Sequence, residues 1–169
     1  MSDIRIVTAR PSDYAQILAL NEAAIPAVNS IPEEKLARLH AQSAYLGVAR
    51  DVQGDMAGFL LALPESAEYE SINFGFFKRG YPRFVYIDRI VVSASHRRAG
   101  VGAALYDDLA RHVPADCPML ACEVNLRPPN PTSIAFHQRL GFAAVGEQDT
   151  EGGSKRVCMM AKRLPADSG

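Results

Sequence analysis

The 169-residue chain is short of the features that mark several large protein classes. It has only three cysteines (Cys117, Cys122 and Cys158), odd in number, widely spaced and without a Cys-x-x-Cys pair. That argues against a disulfide framework or a zinc ribbon. Buried, inert thiols in a reducing cytoplasm are the expectation. No apolar run approaches the ~20 residues of a membrane helix. The start, Met1-Ser2-Asp3 followed by Ile4-Arg5-Ile6-Val7, lacks the pattern of a signal peptide. Charge of either sign is not in excess: 18 Lys and Arg stand against 19 Asp and Glu, a net charge of -1. A bulk nucleic-acid binder normally carries a basic surplus, so no nucleic-acid partner is expected, and no membrane partner. A small basic pocket for phosphates stays compatible with that balance.

What is present is ordinary for a folded domain. Apolar residues make up 48 % and charged residues 22 %, too apolar for a disordered chain. The length suits one domain, expected over residues 4–163 with a disordered tail at 164–169, and needs no metal or disulfide staple.

Residues 4–9 read as a first strand, with Ser12 as N-cap of a helix whose apolar face is Tyr14, Ile17, Leu18 and Leu20. Residues 33–42 form a second helix, with Leu36 and Leu39 inward and Pro32 near its first turn. Residues 45–52 and 56–63 make a hairpin around Gln53-Gly54-Asp55. Residues 64–83 read as a long loop with one helical turn at most, rich in aromatics and in Glu65, Glu68 and Glu70; long loops of this kind are often binding loops. Residues 84–92 are the strongest strand, a nearly continuous apolar run typical of a sheet centre. A helix at 100–112, a strand at 119–124, a Pro-rich loop at 126–131 and a helix at 132–140 capped by Gly141 follow. A last hairpin joins 143–148 to 155–163. Strands alternating with helices late in the chain, and hairpins early, predict a mixed α/β sheet with helices on its faces.

The most informative segment runs from the central strand into a helix: Arg97-Arg98-Ala99-Gly100-Val101-Gly102-Ala103. Glycines there let backbone approach a ligand, and the N–H groups of a helix N-terminus attract phosphate oxygens. A P-loop is excluded because Gly-Lys-Ser/Thr is absent. A dinucleotide fingerprint is excluded because its third glycine position is Leu105.

This segment resembles the core motif of the GCN5-related N-acetyltransferase (GNAT) superfamily, Gln/Arg-x-x-Gly-x-Gly/Ala after a buried strand. Asn130, Phe136-His137 and Gly141-Phe142 resemble its later motif in order and spacing, with His137 standing where the family usually has Tyr. The resemblance implies a mostly antiparallel mixed sheet of about six to seven strands flanked by about four helices. It implies acetyl-CoA or another acyl-CoA as cofactor, an amine of a small molecule, peptide or protein as acceptor, and leaves a homodimer open. By the same resemblance the pyrophosphate sits on backbone N–H groups of Arg98, Ala99, Gly100, Val101, Gly102 and Ala103, with Arg97 as a side-chain contact. The pantetheine arm pairs with Ile90, Val91 and Val92, and Asn130 with its helix, His137 included, flanks it.

Acyl transfer to an amine needs a base for the ammonium proton, a donor to the oxyanion and, for the thiolate, an acid. Glu123, among Leu120, Ala121, Cys122 and Val124, is the expected base, and Cys122-Glu123-Val124 resembles the Leu-Glu-Val of protein N-terminal-amine acetyltransferases. Asp88, in Ile87-Asp88-Arg89, is the alternative, unless the arginine beside it takes it into a structural ion pair. His137 is the candidate acid, its imidazole suited to protonating a thiolate, or else a buried packing residue. No metal is expected, because no histidine stands at ligand spacing with a second candidate. Two other readings compete: a catalytically silent acyl-CoA-binding regulatory module on the same fold, and a nucleotide-binding domain.

Overall fold

The structure is a computed structural model and describes residues 3–165. Among the described residues there are seven strands and five α-helices, and the strands form one open mixed sheet in the order β1-β2-β3-β4-β5-β7-β6. The chain divides into two compact units. One runs up to Leu63 and adds Ile87–Val113. The other is Pro64–Tyr86 with the chain from Pro114 onward. Of the strand Val85–Val92, the first two residues belong to the second unit and the remaining six to the first.

In the first unit, β1 (Arg5–Thr8), β2 (Tyr45–Arg50) and β3 (Met56–Pro64) are antiparallel neighbours. Every residue of β3 except Pro64 is buried, the pattern of a strand covered on both faces. Phe59, Leu60, Leu61 and Leu63 are wholly inaccessible, each stabilising by about 1.5–3 kcal/mol. Helix α1 (Tyr14–Ala23) starts not at Ser12 but after a single 3-10 turn, where Asp13 accepts the Arg10 N–H at 2.8 Å. Its inward face is Tyr14, Ile17 and Asn21, while Leu18 and Leu20 are only half-buried. Asn21 tolerates complete burial because its polar atoms are used: it donates to the Asn29 carbonyl at 2.9 Å and accepts from Arg89 at 3.0 Å. Helix α2 (Glu33–Ala41) buries Leu36 and Leu39 as the periodicity predicts. Helix α4 (Val101–His112) buries Val101, Leu105, Tyr106 and Leu109.

In the second unit, the expected loop at 64–83 contains a full helix, α3 (Ile72–Gly80). Ser71 caps it by accepting the Phe74 N–H at 3.3 Å, and Phe74 and Phe77, three residues apart, turn inward. The run of aromatics favours strand by propensity, but packing decides against it. Phe74 and Phe77 stack on Phe84 and Tyr86 at centroid distances of 5.5–6.1 Å. Strand β4 (Val85–Val92) pairs in parallel with β5 (Met119–Arg127) at Val85↔Leu120 and Tyr86↔Ala121. β5 outlasts the predicted 119–124, because β7 (Lys155–Arg163) accompanies it as far as Arg127. The Pro-rich loop is correspondingly short. Helix α5 (Pro131–Arg139) ends before Gly141, whose φ of 101° is the expected left-handed cap. β6 (Ala143–Thr150) pairs antiparallel with β7. Within the tail expected from residue 164, Leu164 donates its N–H to the Pro118 carbonyl at 2.9 Å, and residues 166–169 lie outside the described residues.

Candidate active site

The turn after β4 is built by backbone geometry. The Ser93 N–H donates to the Ala57 carbonyl at 2.8 Å, fixing where the chain leaves the sheet. A 3-10 turn over Ala94–His96 follows. Arg98 then adopts a left-handed conformation at φ 64°, and Gly100 does so at φ 77°. Glycine meets no penalty there, whereas a side-chain-bearing residue stores about 1–3 kcal/mol. Gly100 is the N-cap of α4 and supplies no side-chain cap, and a Cβ built on it would touch nothing within 4 Å. The first-turn N–H groups of α4 thus begin the helix with no side-chain cap from residue 100, at the positive end of its dipole, and Arg97 and Arg98 precede them in the chain. That donor set fits a pyrophosphate. The strand leading in is crowded instead: a Cβ on Gly58 of β3 would lie 2.6 Å from the Val91 carbonyl oxygen. Ile90, Val91 and Val92, the residues expected to carry the pantetheine, belong to this part of β4.

Glu123, Asn130 and His137 belong to the second unit. Glu123, on β5, accepts a hydrogen bond from the Tyr86 hydroxyl at 2.5 Å. Tyr86 is fully buried against Phe74 and Phe77. Sequence reading missed this tyrosine. The available signal was a phenol inside a continuous apolar strand, because a buried Tyr hydroxyl needs a partner. The parallel register, with Tyr86 opposite Ala121, puts Glu123 two residues along the neighbouring strand.

Asp88 sits in an ion pair with Arg89, Nε to Oδ2 2.7 Å, both side chains 3 % exposed. Arg89 also donates to Asn21 and to the carbonyl and side chain of Asn29, each at 3.0 Å. Asp88 thus has the arginine beside it as an ion-pair partner. Asn130 caps α5, its side chain accepting the Ser133 N–H at 3.3 Å. His137 is 3 % exposed and packs edge-on to Phe136 and Phe142. Its Nδ1 lies 2.8 Å from the Ser133 carbonyl oxygen, which can only accept, so Nδ1 carries the proton. Burial pushes its pKa below the ordinary value of 6.5, which favours the neutral ring. The acidic character expected for residues 65–70 is reduced, since Arg83 pairs with Glu65 at 3.0 Å.

Comparisons with known proteins bear on the fold and the family. No curated protein sequence matches the chain. Many solved structures do. Naa20 of Chaetomium thermophilum, solved with a bisubstrate analogue, is 22 % identical with a TM-score of 0.76, over 95 % of this chain and 86 % of its own. The ribosomal-protein-S18-alanine N-acetyltransferase of Escherichia coli is 18 % identical with a TM-score of 0.70, over 98 % of both chains. Nourseothricin acetyltransferase is 21 % identical with a TM-score of 0.66, over 96 % of this chain and 99 % of its own. At such identities the likeness is one of fold. The family itself is given by the sequence profile of the acetyltransferase (GNAT) family, which matches residues 15–142. Because that match spans well over half of the chain, the protein belongs to the acetyltransferase (GNAT) family.

Proposed function

We propose that this acetyltransferase works as one domain over residues 4–163, takes its acyl group from acetyl-CoA and delivers it to an amine, in a reducing cytoplasm where its buried thiols persist. The observation that carries the reading is the turn: two left-handed residues, Arg98 and Gly100, lead into a helix N-terminus without a side-chain cap. Acetyl-CoA supplies the activated thioester. The chain supplies phosphate donors from the backbone of residues 98–103, a guanidinium from Arg97, and an edge along Ile90, Val91 and Val92 for the pantetheine.

Glu123 is the proposed base, a carboxylate on β5 with one oxygen held in place by the Tyr86 hydroxyl. His137 is proposed to orient α5 rather than to act as acid, since its ring is buried, neutral and committed to the Ser133 carbonyl. Asp88 is proposed to be structural. The acceptor remains a small amine, peptide or protein amine.

Coenzyme A should raise the melting temperature of the wild-type protein. Charge reversal at Arg97 or Arg98, or a bulky residue at Gly100 or Gly102, should abolish that rise; an unchanged rise in all four variants would overturn the reading.

A further inference from the structure

We propose that His96 is a positioning residue for acyl-CoA: by holding Asp51 of the β2–β3 turn, it fixes the backbone that receives the phosphates. The inference rests on the acyl-CoA reading above. Its basis is the number of anchors the turn has. The backbone leaves β4 at Ser93, bonded to Ala57, and closes a first turn when the His96 N–H donates to the Ser93 carbonyl at 2.9 Å. Beyond it come extended Arg97, left-handed Arg98 and left-handed Gly100. A residue with a side chain stays left-handed only where its surroundings over-determine it, so something must hold the segment just before Arg98.

His96 is placed to do that. Its Nε2–H donates to Asp51 Oδ2 at 2.8 Å, and Ser95 Oγ lies 3.2 Å from its Nδ1. Asp51 is itself fixed. Its Oδ1 accepts the Gln53 N–H at 2.9 Å and the Asp55 N–H at 3.0 Å, so one oxygen shapes the hairpin turn and the other faces the histidine. The hydrogen bond from His96 is the main reason that the Asp51 carboxyl sits below its ordinary range. The imidazole therefore ties a rigid hairpin turn to the residue two before Arg98. The pair is partly solvent-accessible, where an isolated ion pair adds little to stability. Its effect should appear in ligand binding rather than in folding.

The test compares wild type with His96→Ala, His96→Gln and Asp51→Asn. The readouts are coenzyme A affinity by calorimetry, KM and kcat with acetyl-CoA, and amide hydrogen exchange over residues 97–103 without ligand. The expected result for His96→Ala is a coenzyme A Kd and an acetyl-CoA KM raised about tenfold, kcat within about twofold, and faster exchange over 97–103. His96→Gln, which keeps an N–H donor of similar reach, should restore most of the affinity. Asp51→Asn keeps an oxygen for the hairpin and should weaken binding in the same direction, without adding to the effect of His96→Ala. Wild-type affinity and wild-type exchange in His96→Ala would overturn the inference and leave the acyl-CoA reading intact. A wild-type protein that binds no coenzyme A would overturn both.

Discussion

The Tyr86 hydroxyl holds one oxygen of the Glu123 carboxylate, and that has a measurable consequence. Tyr86→Phe removes one hydrogen bond, 2.5 Å long, to the carboxylate and leaves the ring packing in place. Hydrogen bonds to charged groups contribute about 1.5–3 kcal/mol, so kcat should fall about tenfold or more while the KM for acetyl-CoA holds; steady-state kinetics checks it. His137 behaves oppositely. With Nδ1 bound to the Ser133 carbonyl and burial lowering its pKa, His137→Gln should lower the melting temperature yet reduce kcat by less than about tenfold, where loss of a general acid costs ~10²–10⁴. Arg98 allows charge and backbone to be separated. Arg98→Gly keeps the left-handed turn and Arg98→Val opposes it, so coenzyme A should stabilise the glycine variant more than the valine variant in a thermal-shift assay.

Elements differ in how plainly the sequence announces them. Gly58 shows a constraint that only pairing reveals: a Cβ there meets the Val91 carbonyl at 2.6 Å. Gly58→Ala should therefore cost about 1–3 kcal/mol in urea unfolding, and should also weaken coenzyme A binding by shifting the strand that leads to the turn. Periodicity was enough for α2 and α4, whose leucines recur at helical spacing, and for the β2–β3 hairpin, marked by Gly54. It was not enough for α3, where aromatics with strand propensity form a helix because Phe74 and Phe77 find Tyr86 and Phe84. Nor could local pattern show that Asn21, 68 residues away from Arg89, would be buried against it. In the candidate site, the phosphate turn was readable because glycines and arginines cluster within a few residues. The Tyr86–Glu123 contact spans 37 residues and exists only once β4 and β5 pair in parallel.

At the scale of the molecule, the near-neutral charge conceals a division of labour. Cationic Arg97 and Arg98 sit at the turn, the carboxylates of Asp88 and Glu65 are tied to arginines, and Glu123, which accepts from the Tyr86 hydroxyl, is the base we propose. The three cysteines are buried, and burial pushes the thiols of Cys122 and Cys158 above their ordinary range. They should therefore label slowly with a thiol reagent at neutral pH and react fully after unfolding in urea; fast labelling of the native protein would contradict this packing. Among the described residues no helix is long and apolar enough to cross a membrane. Thiol release from acetyl-CoA across a panel of small amines and peptide N-termini tests most directly the proposal that Glu123 drives acetyl transfer to an amine. The wild type should release thiol with at least one amine, while Glu123→Gln binds coenzyme A with unchanged affinity and turns over about a hundredfold more slowly; equal turnover by the two, or binding without transfer to any amine, would contradict it.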